Sequence, residues 1–272
     1  KVVINTCAVT NNAVQKSIYA VKKALKDFPN SEVIVTGCAS QVEKNRFENL
    51  GHISKIVDNK LKTNPNSYIS EDWVHEQTFN FPSIDYLSTH RTRAMLQIQQ
   101  GCNHRCTFCI IPYGRGDAVS LTFTEISKRV KKILSSGITE IVLTGVDLTS
   151  YGEDLKGKPK LGSILKKLFK LFPNLPRLRL SSIDPAEIDR DLLNLFKYER
   201  RLMPYLHLSL QSGDNLILKR MKRRHNREMV LNICNNLKSF RKDITFGADL
   251  IVGFPTETDE NFQNSINLIS EC

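Results

Sequence analysis

QQGCNHRCTFCIIPYGRG, residues Gln99–Gly116, holds three of the chain's seven cysteines, Cys102, Cys106 and Cys109, at the spacing C-x3-C-x2-C. A structural zinc site takes four protein ligands, commonly two C-x2-C pairs, whereas this loop offers three thiols and no evident fourth. Three thiolates bind three irons of a [4Fe–4S] cube and leave the fourth iron open to a substrate-like ligand. The competing reading is a chance cluster of buried or disulfide-bonded thiols, but so tight a triad seldom has only a packing reason.

The segments that follow the triad have one rhythm. Ala94–Ile98 predicts a strand that feeds the loop. Strands are also expected at Glu140–Leu143, Arg177–Leu180, Tyr205–Leu210 and Thr245–Val252. Helices are expected at Thr124–Ser135 (capped by Thr122 or Thr124), Leu161–Phe172, Ile188–Phe196, Asn215–Met221, Arg227–Phe240 and from Asp259 onward. Five βα units in a row predict a β/α barrel, whose active site forms from the loops after the strands. Each strand ends in small or polar residues that let a ligand approach closely. Phe108, inside the triad, with Gly145, Ser182, Gln211 and Gly253 at the strand ends, are the candidate cofactor contacts.

Upstream, Val2–Asn5, Val33–Val35 and Lys55–Val57 read as buried strands. A helix from Asn12 to Phe28 carries Val14, Ile18, Val21 and Leu25 on one stripe, and a second helix is expected from a Ser40 cap to Leu50. This alternation predicts an open, doubly wound parallel sheet. Cys7 and Cys38 each follow the carboxyl end of a strand, the edge where such sheets bind ligands. Two thiolates there can hold a metal centre if a third arrives from upstream; burial as small hydrophobes is the alternative. The expected division is therefore 1–62 as a partial N-terminal domain, 63–92 as a linker with Trp73, Phe79 and Phe81 as packing anchors, and 93–272 as an incomplete barrel. Both ends look truncated, since the chain opens without Met inside a strand and stops inside a helix.

With 272 residues, 40% hydrophobic and 25% charged, the chain has the composition of a soluble globular protein. No apolar run approaches the roughly 18–20 residues of a membrane span, no signal peptide opens the chain, and a cytoplasmic monomer is expected. The net charge of +11 favours a polyanionic partner. Lys219, Arg220, Lys222, Arg223, Arg224 and Arg227 lie close together with no acid among them. They form either a phosphate-positioning element or a solvated helix face. Arg115 is a further candidate for RNA contact. Cys234 and Cys272 have no partner at ligand spacing and read as structural, and His207 reads as a hydrogen-bonded interior residue.

The triad and its flanks resemble the signature of the radical S-adenosylmethionine (SAM) enzymes. Seven stretches together resemble the tRNA methylthiotransferases: VVINTCAVTNNAVQKS, VIVTGCASQ, IQQGCNHRCTFCIIPYGRG, EIVLTGVDLTSYGEDL, RLRLSSIDPAEI, HLSLQSGDNLILKRMKRRH and ADLIVGFPTETDENF. The resemblance is greatest to the threonylcarbamoyladenosine-specific branch. It implies two [4Fe–4S] clusters, one on Cys102, Cys106 and Cys109, the other on Cys7, Cys38 and an upstream cysteine. It also implies that S-adenosylmethionine is split reductively to a 5′-deoxyadenosyl radical, that an electron donor reduces the cluster, and that a methylthio group is added to carbon 2 of the modified adenosine beside the anticodon of tRNA. The sequence departs from the family in lacking the upstream cysteine segment, the last barrel strand and the small RNA-gripping domain, and in carrying Thr256 where the family has glycine. Two neighbouring readings keep the chemistry and change the substrate, to isopentenyladenosine in tRNA or a ribosomal-protein aspartate. A reading of another class is a non-catalytic fragment that binds a cluster or RNA.

Overall fold

A run of Val, Ile, Val and Thr closed by Gly, with no charge, suits burial on both faces, which a central parallel strand provides. In the computed structural model, which describes residues 1–69, 79, 81–83 and 91–272, that strand is β2 (Val33–Gly37). Before it come β1 (Val2–Thr6) and α1 (Asn11–Asp27); after it come α2 (Cys38–Val42), α3 (Lys44–Glu48) and β3 (Ile53–Val57). The chain continues through β4 (Arg93–Gln97), β5 (Gln99–Gln100), α4 (Ile111–Arg115), β6 (Val119–Ser120), α5 (Phe123–Ser135), β7 (Glu140–Thr144), α6 (Leu161–Leu171) and β8 (Arg177–Leu180). It ends with α7 (Arg190–Tyr198), β9 (Tyr205–Gln211), α8 (Asn215–Arg220), α9 (Arg227–Phe240), β10 (Thr245–Leu250) and α10 (Asp259–Glu271).

Contacts divide the chain into two compact units. The first comprises Lys1–Pro82, Gly101–His104 and Phe108–Asp117; the second comprises Ser83–Gln100, Arg105–Thr107 and Ala118–Cys272. The triad loop is therefore shared, with Cys102 and Cys109 in the first unit and Cys106 in the second.

In the first unit the parallel sheet has the order β1-β2-β3, with Thr6 opposite Gly37 at the last rung of the first ladder. Thr10 caps α1 by accepting from the Ala13 amide at 3.1 Å. Val14, Ile18 and Val21 of α1 pack with Val35, Ala39 and Phe47. Burying each larger apolar side chain contributes roughly 1.5–3 kcal/mol. The single helix expected from Ser40 to Leu50 is instead the pair α2 and α3. Cys38 opens α2, Gly37 precedes it at φ +103°, and Ser40 lies inside it, its hydroxyl donating to the Gly37 carbonyl. Glu43, which is not helical, separates the two. Within the stretch expected as a linker, Pro65–Tyr68 forms a 3-10 turn, and the rings of Phe79 and Phe81 meet edge to face at 5.1 Å. Trp73 lies outside the described residues.

The second unit holds β4-β7-β8 as a parallel three-stranded sheet and β9-β10 as a parallel pair. Single parallel bridges join Leu178 of β8 to Leu202, just before β9, and Ile183, just after β8, to Leu208 of β9. Five parallel strands thus follow one another in chain order, an incomplete β/α barrel as the periodicity predicts. On β9, Leu206, Leu208 and Leu210 are buried while Tyr205, His207, Ser209 and Gln211 alternate with them half-buried. Thr122 is the α5 cap, accepting from Glu125, and α7 begins at Arg190 on an Asp189 cap rather than at Ile188. The expectation had not included the short antiparallel pair β5-β6 or α4, each too brief to leave a periodic signal. Among the described residues no helix is long and apolar enough to cross a membrane.

Candidate metal centre

In the first unit, the in-register ends of β1 and β2 place Cys7 and Cys38 on one edge of the sheet. Hydroxyls tie the edge together. Thr6 Oγ1 donates to the Thr36 carbonyl at 2.8 Å and accepts from the Ser40 amide at 3.0 Å, while the Cys7 amide donates to Ser17 Oγ. Gly37 is required here, since a Cβ would lie 2.3 Å from the Thr6 carbonyl oxygen. Cys7 is exposed and Cys38 is nearly buried. Against Cys38 packs α4, the helix that follows the triad. A Cβ on Gly114 would stand 2.9 Å from the Cys38 Cβ, so glycine permits the approach. Asn59, just after β3, donates its amide to the Gly114 carbonyl and reaches Cys38 Sγ at 3.7 Å. Burial lowers the Lys62 ammonium pKa and the half-buried Arg115 lowers it further, with Cys38 opposing. Cys38 thus has the Asn59 amide as a donor and the Lys62 ammonium nearby. Asn59 was not singled out from the sequence, although its position after a third parallel strand is the same signal that marked Cys7 and Cys38.

In the second unit, Gly145, Ser182, Gln211 and Gly253 all follow or end parallel strands, on the carboxyl side. Gly145 comes within reach of Gln99, whose Oε1 accepts from the Asp147 amide at 2.9 Å; a Cβ there would meet that oxygen at 2.9 Å. Gln211 has φ +71°, a left-handed backbone that non-glycine residues rarely hold. Phe108 belongs to the first unit and is 39% exposed. His207 makes a 3.4 Å contact from Nδ1 to the Tyr205 hydroxyl and lies 3.6 Å from Asp249. Cys234 and Cys272, separate in the sequence reading, interact: Cys272 raises the Cys234 thiol, and Cys234 lowers that of Cys272.

The basic run does not act as one face. Lys222, at φ +57°, closes α8: its amide bonds to the Lys219 carbonyl and the Arg223 amide to the Leu218 carbonyl, the Schellman pattern. This turn leaves Lys219, Arg220 and Lys222 exposed and sends Arg223 inward, with its side chain 9% exposed. Arg223 Nη2 donates to Asp184 Oδ2 (3.0 Å) and the Ser209 carbonyl (2.7 Å), and Nη1 donates to Cys106 Sγ (3.6 Å). Arg224 bonds Glu187 at 2.6 Å and Asp184 at 3.3 Å. Arg227 bonds the carbonyls of Gly213 and Asn264 and pairs with Glu271. Expected as RNA contacts, Arg223 and Arg224 pair with buried Asp184 and half-buried Glu187, Arg223 from inside the unit and Arg224 from an exposed position. Burial raises the Asp184 carboxyl. The His225 imidazole at 3.7 Å (longer than a hydrogen bond), the Arg223 guanidinium, the Ala186 amide and Arg224 outweigh that and hold it below the ordinary carboxylate range.

Thr107 completes this arrangement, donating from its amide to the Met221 carbonyl (3.2 Å) and from its hydroxyl to the Arg220 carbonyl (3.1 Å). The end of α8 leaves those carbonyls without helical partners, and the residue after Cys106 supplies them. No disulfide joins any cysteine among the described residues.

Residues 96–269 match the model of the radical SAM superfamily, and residues 1–58 match that of an uncharacterized protein family, UPF0004. A threonylcarbamoyladenosine tRNA methylthiotransferase of Rickettsia prowazekii is 44% identical over 99% of this chain and 66% of its own length. A protein of the same name from Aquifex aeolicus is 35% identical over 98% of this chain and 67% of its own length. The chain belongs to the tRNA methylthiotransferase family of the radical SAM superfamily. A further relative, the tRNA-2-methylthio-N(6)-dimethylallyladenosine synthase of Ehrlichia canis, is 34% identical over 99% of this chain and 64% of its own length. The chain thus spans about two thirds of these curated relatives. Among solved structures, the radical SAM methyltransferase TsrM of Kitasatospora setae shares the fold, with a TM-score of 0.68 at 10% identity over 98% of this chain and 59% of its own.

Radical SAM membership implies S-adenosylmethionine and a [4Fe–4S] cluster. The triad fits that group: three thiols outside any disulfide, one of them accepting a hydrogen bond from the Arg223 guanidinium.

Proposed function

We propose that this chain carries the catalytic core of a tRNA methylthiotransferase that adds a methylthio group to carbon 2 of N6-threonylcarbamoyladenosine beside the anticodon. The observation that carries the reading is the pair Cys7 and Cys38, each the residue after the last rung of the β1-β2 ladder, a second set of thiols in a chain that already has the radical SAM triad. A single cluster suffices for radical chemistry; a second, held by Cys7, Cys38 and a further ligand, suits sulfur insertion. The 44% identity to the threonylcarbamoyl-specific relative supports the choice of substrate.

When bound, the clusters and S-adenosylmethionine supply a one-electron cleavage that yields a radical, together with the sulfur to be transferred. The chain's own residues do the positioning. Cys102, Cys106 and Cys109 would hold the radical cluster. Gly145, Ser182, Gln211 and Gly253, with Phe108, would contact the cofactor. Lys219, Arg220, Lys222 and Arg115 would meet tRNA phosphates. A cytoplasmic monomer with a separate electron donor completes the proposal.

The test is a nucleoside digest of tRNA from cells with and without the gene. Loss of the methylthio form of threonylcarbamoyladenosine is the expected result. Its persistence, with loss of the methylthio isopentenyl nucleoside instead, would favour the second substrate, to which the Ehrlichia canis relative's name points.

A further inference from the structure

The triad's middle cysteine has surroundings that ligation alone does not explain. The Arg223 side chain is 9% exposed, and the Asp184 carboxylate and Ser209 carbonyl hold its guanidinium. Its Nη1 points to Cys106 Sγ, and its Nε is a buried donor without a partner among the described residues. Thr107 fixes the same segment to the end of α8 through two hydrogen bonds, so Cys106 and Arg223 are tied to one turn. Asp184 is itself set by its bond to the Ala186 amide and by Arg224.

We propose that Arg223 is a positioning residue for the radical cluster, donating to Cys106 Sγ and making the cluster easier to reduce. The physics is one-directional. Reduction adds negative charge, and a buried cationic donor at a ligating sulfur stabilises the more negative state. Asp184 keeps the guanidinium in place, and the left-handed Lys222 turn aims it. The proposal rests on the triad holding a cluster.

The experiment uses the full-length gene product with Cys7→Ser and Cys38→Ser, so that one cluster remains. It is reconstituted anaerobically with iron and sulfide and titrated with dithionite and mediators under electron paramagnetic resonance. The parent is expected to hold about four irons per chain. Adding Arg223→Gln should lower the ratio of reduced to oxidised cluster about tenfold at the parent's midpoint, a shift of about 59 mV for a one-electron couple. Arg223→Lys, which keeps the charge but not the planar fork, should fall between. If Arg223→Gln fails to fold because Asp184 is left unpaired, the pair Asp184→Asn with Arg223→Gln is read in the same way, with a shift of the same sign. An unchanged midpoint in a loaded cluster overturns the proposal, since a merely structural role would lower iron content or melting temperature and leave the potential alone. A parent that binds no iron, or zinc instead, overturns the assignment of the triad, which is a separate failure.

Discussion

At Thr256 the backbone holds φ +72°, a conformation costly for a β-branched residue, at the position where the resembled family carries glycine. Its hydroxyl donates to the Pro255 carbonyl, and its own carbonyl accepts from Arg220 at 2.9 Å, a bond that any residue there can keep. Thr256→Gly is therefore expected to relieve about 1–2 kcal/mol of strain and lose about 0.5–1 kcal/mol to the looser unfolded chain. The net gain, read by thermal unfolding of the full-length protein, should be a Tm rise of roughly 1–3 °C; a fall would show that the hydroxyl contact matters more than the strain. The departure was legible in the sequence, but its consequence was not, because strain depends on φ. Arg223 shows the same limit from the other side. Its charge is visible in the run Lys219–Arg227, whereas its inward direction follows from the left-handed turn at Lys222 and from a carboxylate thirty-nine residues upstream.

Among the elements, α4, like the pair β5-β6, is absent from the sequence reading: five residues with a proline and a glycine and no room for a periodic stripe. Its packing on Cys38 nonetheless makes Gly114 a sensitive position. Gly114→Ala improves helix propensity by about 0.5–1 kcal/mol but inserts a methyl 2.9 Å from the Cys38 Cβ, and overpacking of this kind costs about 1–3 kcal/mol. The expected outcome is a lower urea midpoint and faster alkylation of Cys38 in the metal-stripped protein. Unchanged alkylation would mean that α4 does not shield it. The longer elements were legible because their apolar residues recur at helical or strand spacing: Val14, Ile18 and Val21 on α1, or Leu206, Leu208 and Leu210 on β9. The break between α2 and α3 was not, since residues 38–48 can be read as one helix and it is Glu43's backbone that departs.

For the molecule as a whole, the net charge of +11 is distributed unequally in what it can do. Arg223, Arg224 and Arg227 pair with carboxylates or carbonyls of the second unit, whereas Lys219 and Lys222 are exposed and Arg220, also exposed, bonds the Thr256 carbonyl, so the proposed polyanion contacts within the run are these last three. Replacing these three by alanine in the full-length protein should weaken tRNA binding and reduce the slope of log K against log salt by about 2–3, at roughly 0.7–0.9 for each phosphate no longer neutralised. An unaltered slope, measured by filter binding across salt concentrations, would remove this segment from the RNA interface.

The two sets of thiols also differ in when they can exist. Cys102, Cys106 and Cys109 fall within eight consecutive residues, so an unfolded or nascent chain already presents them together. Cys7 and Cys38 are brought to one sheet edge only when the β1-β2 ladder forms up to its last rung, Thr6 with Gly37, after a crossover through α1 has closed. Closing that loop carries an entropic penalty that the triad never meets. The triad's thiols are thus presented together from the outset of synthesis, whereas Cys7 and Cys38 meet only once the first unit has folded, so the second metal set proposed above would load after the first.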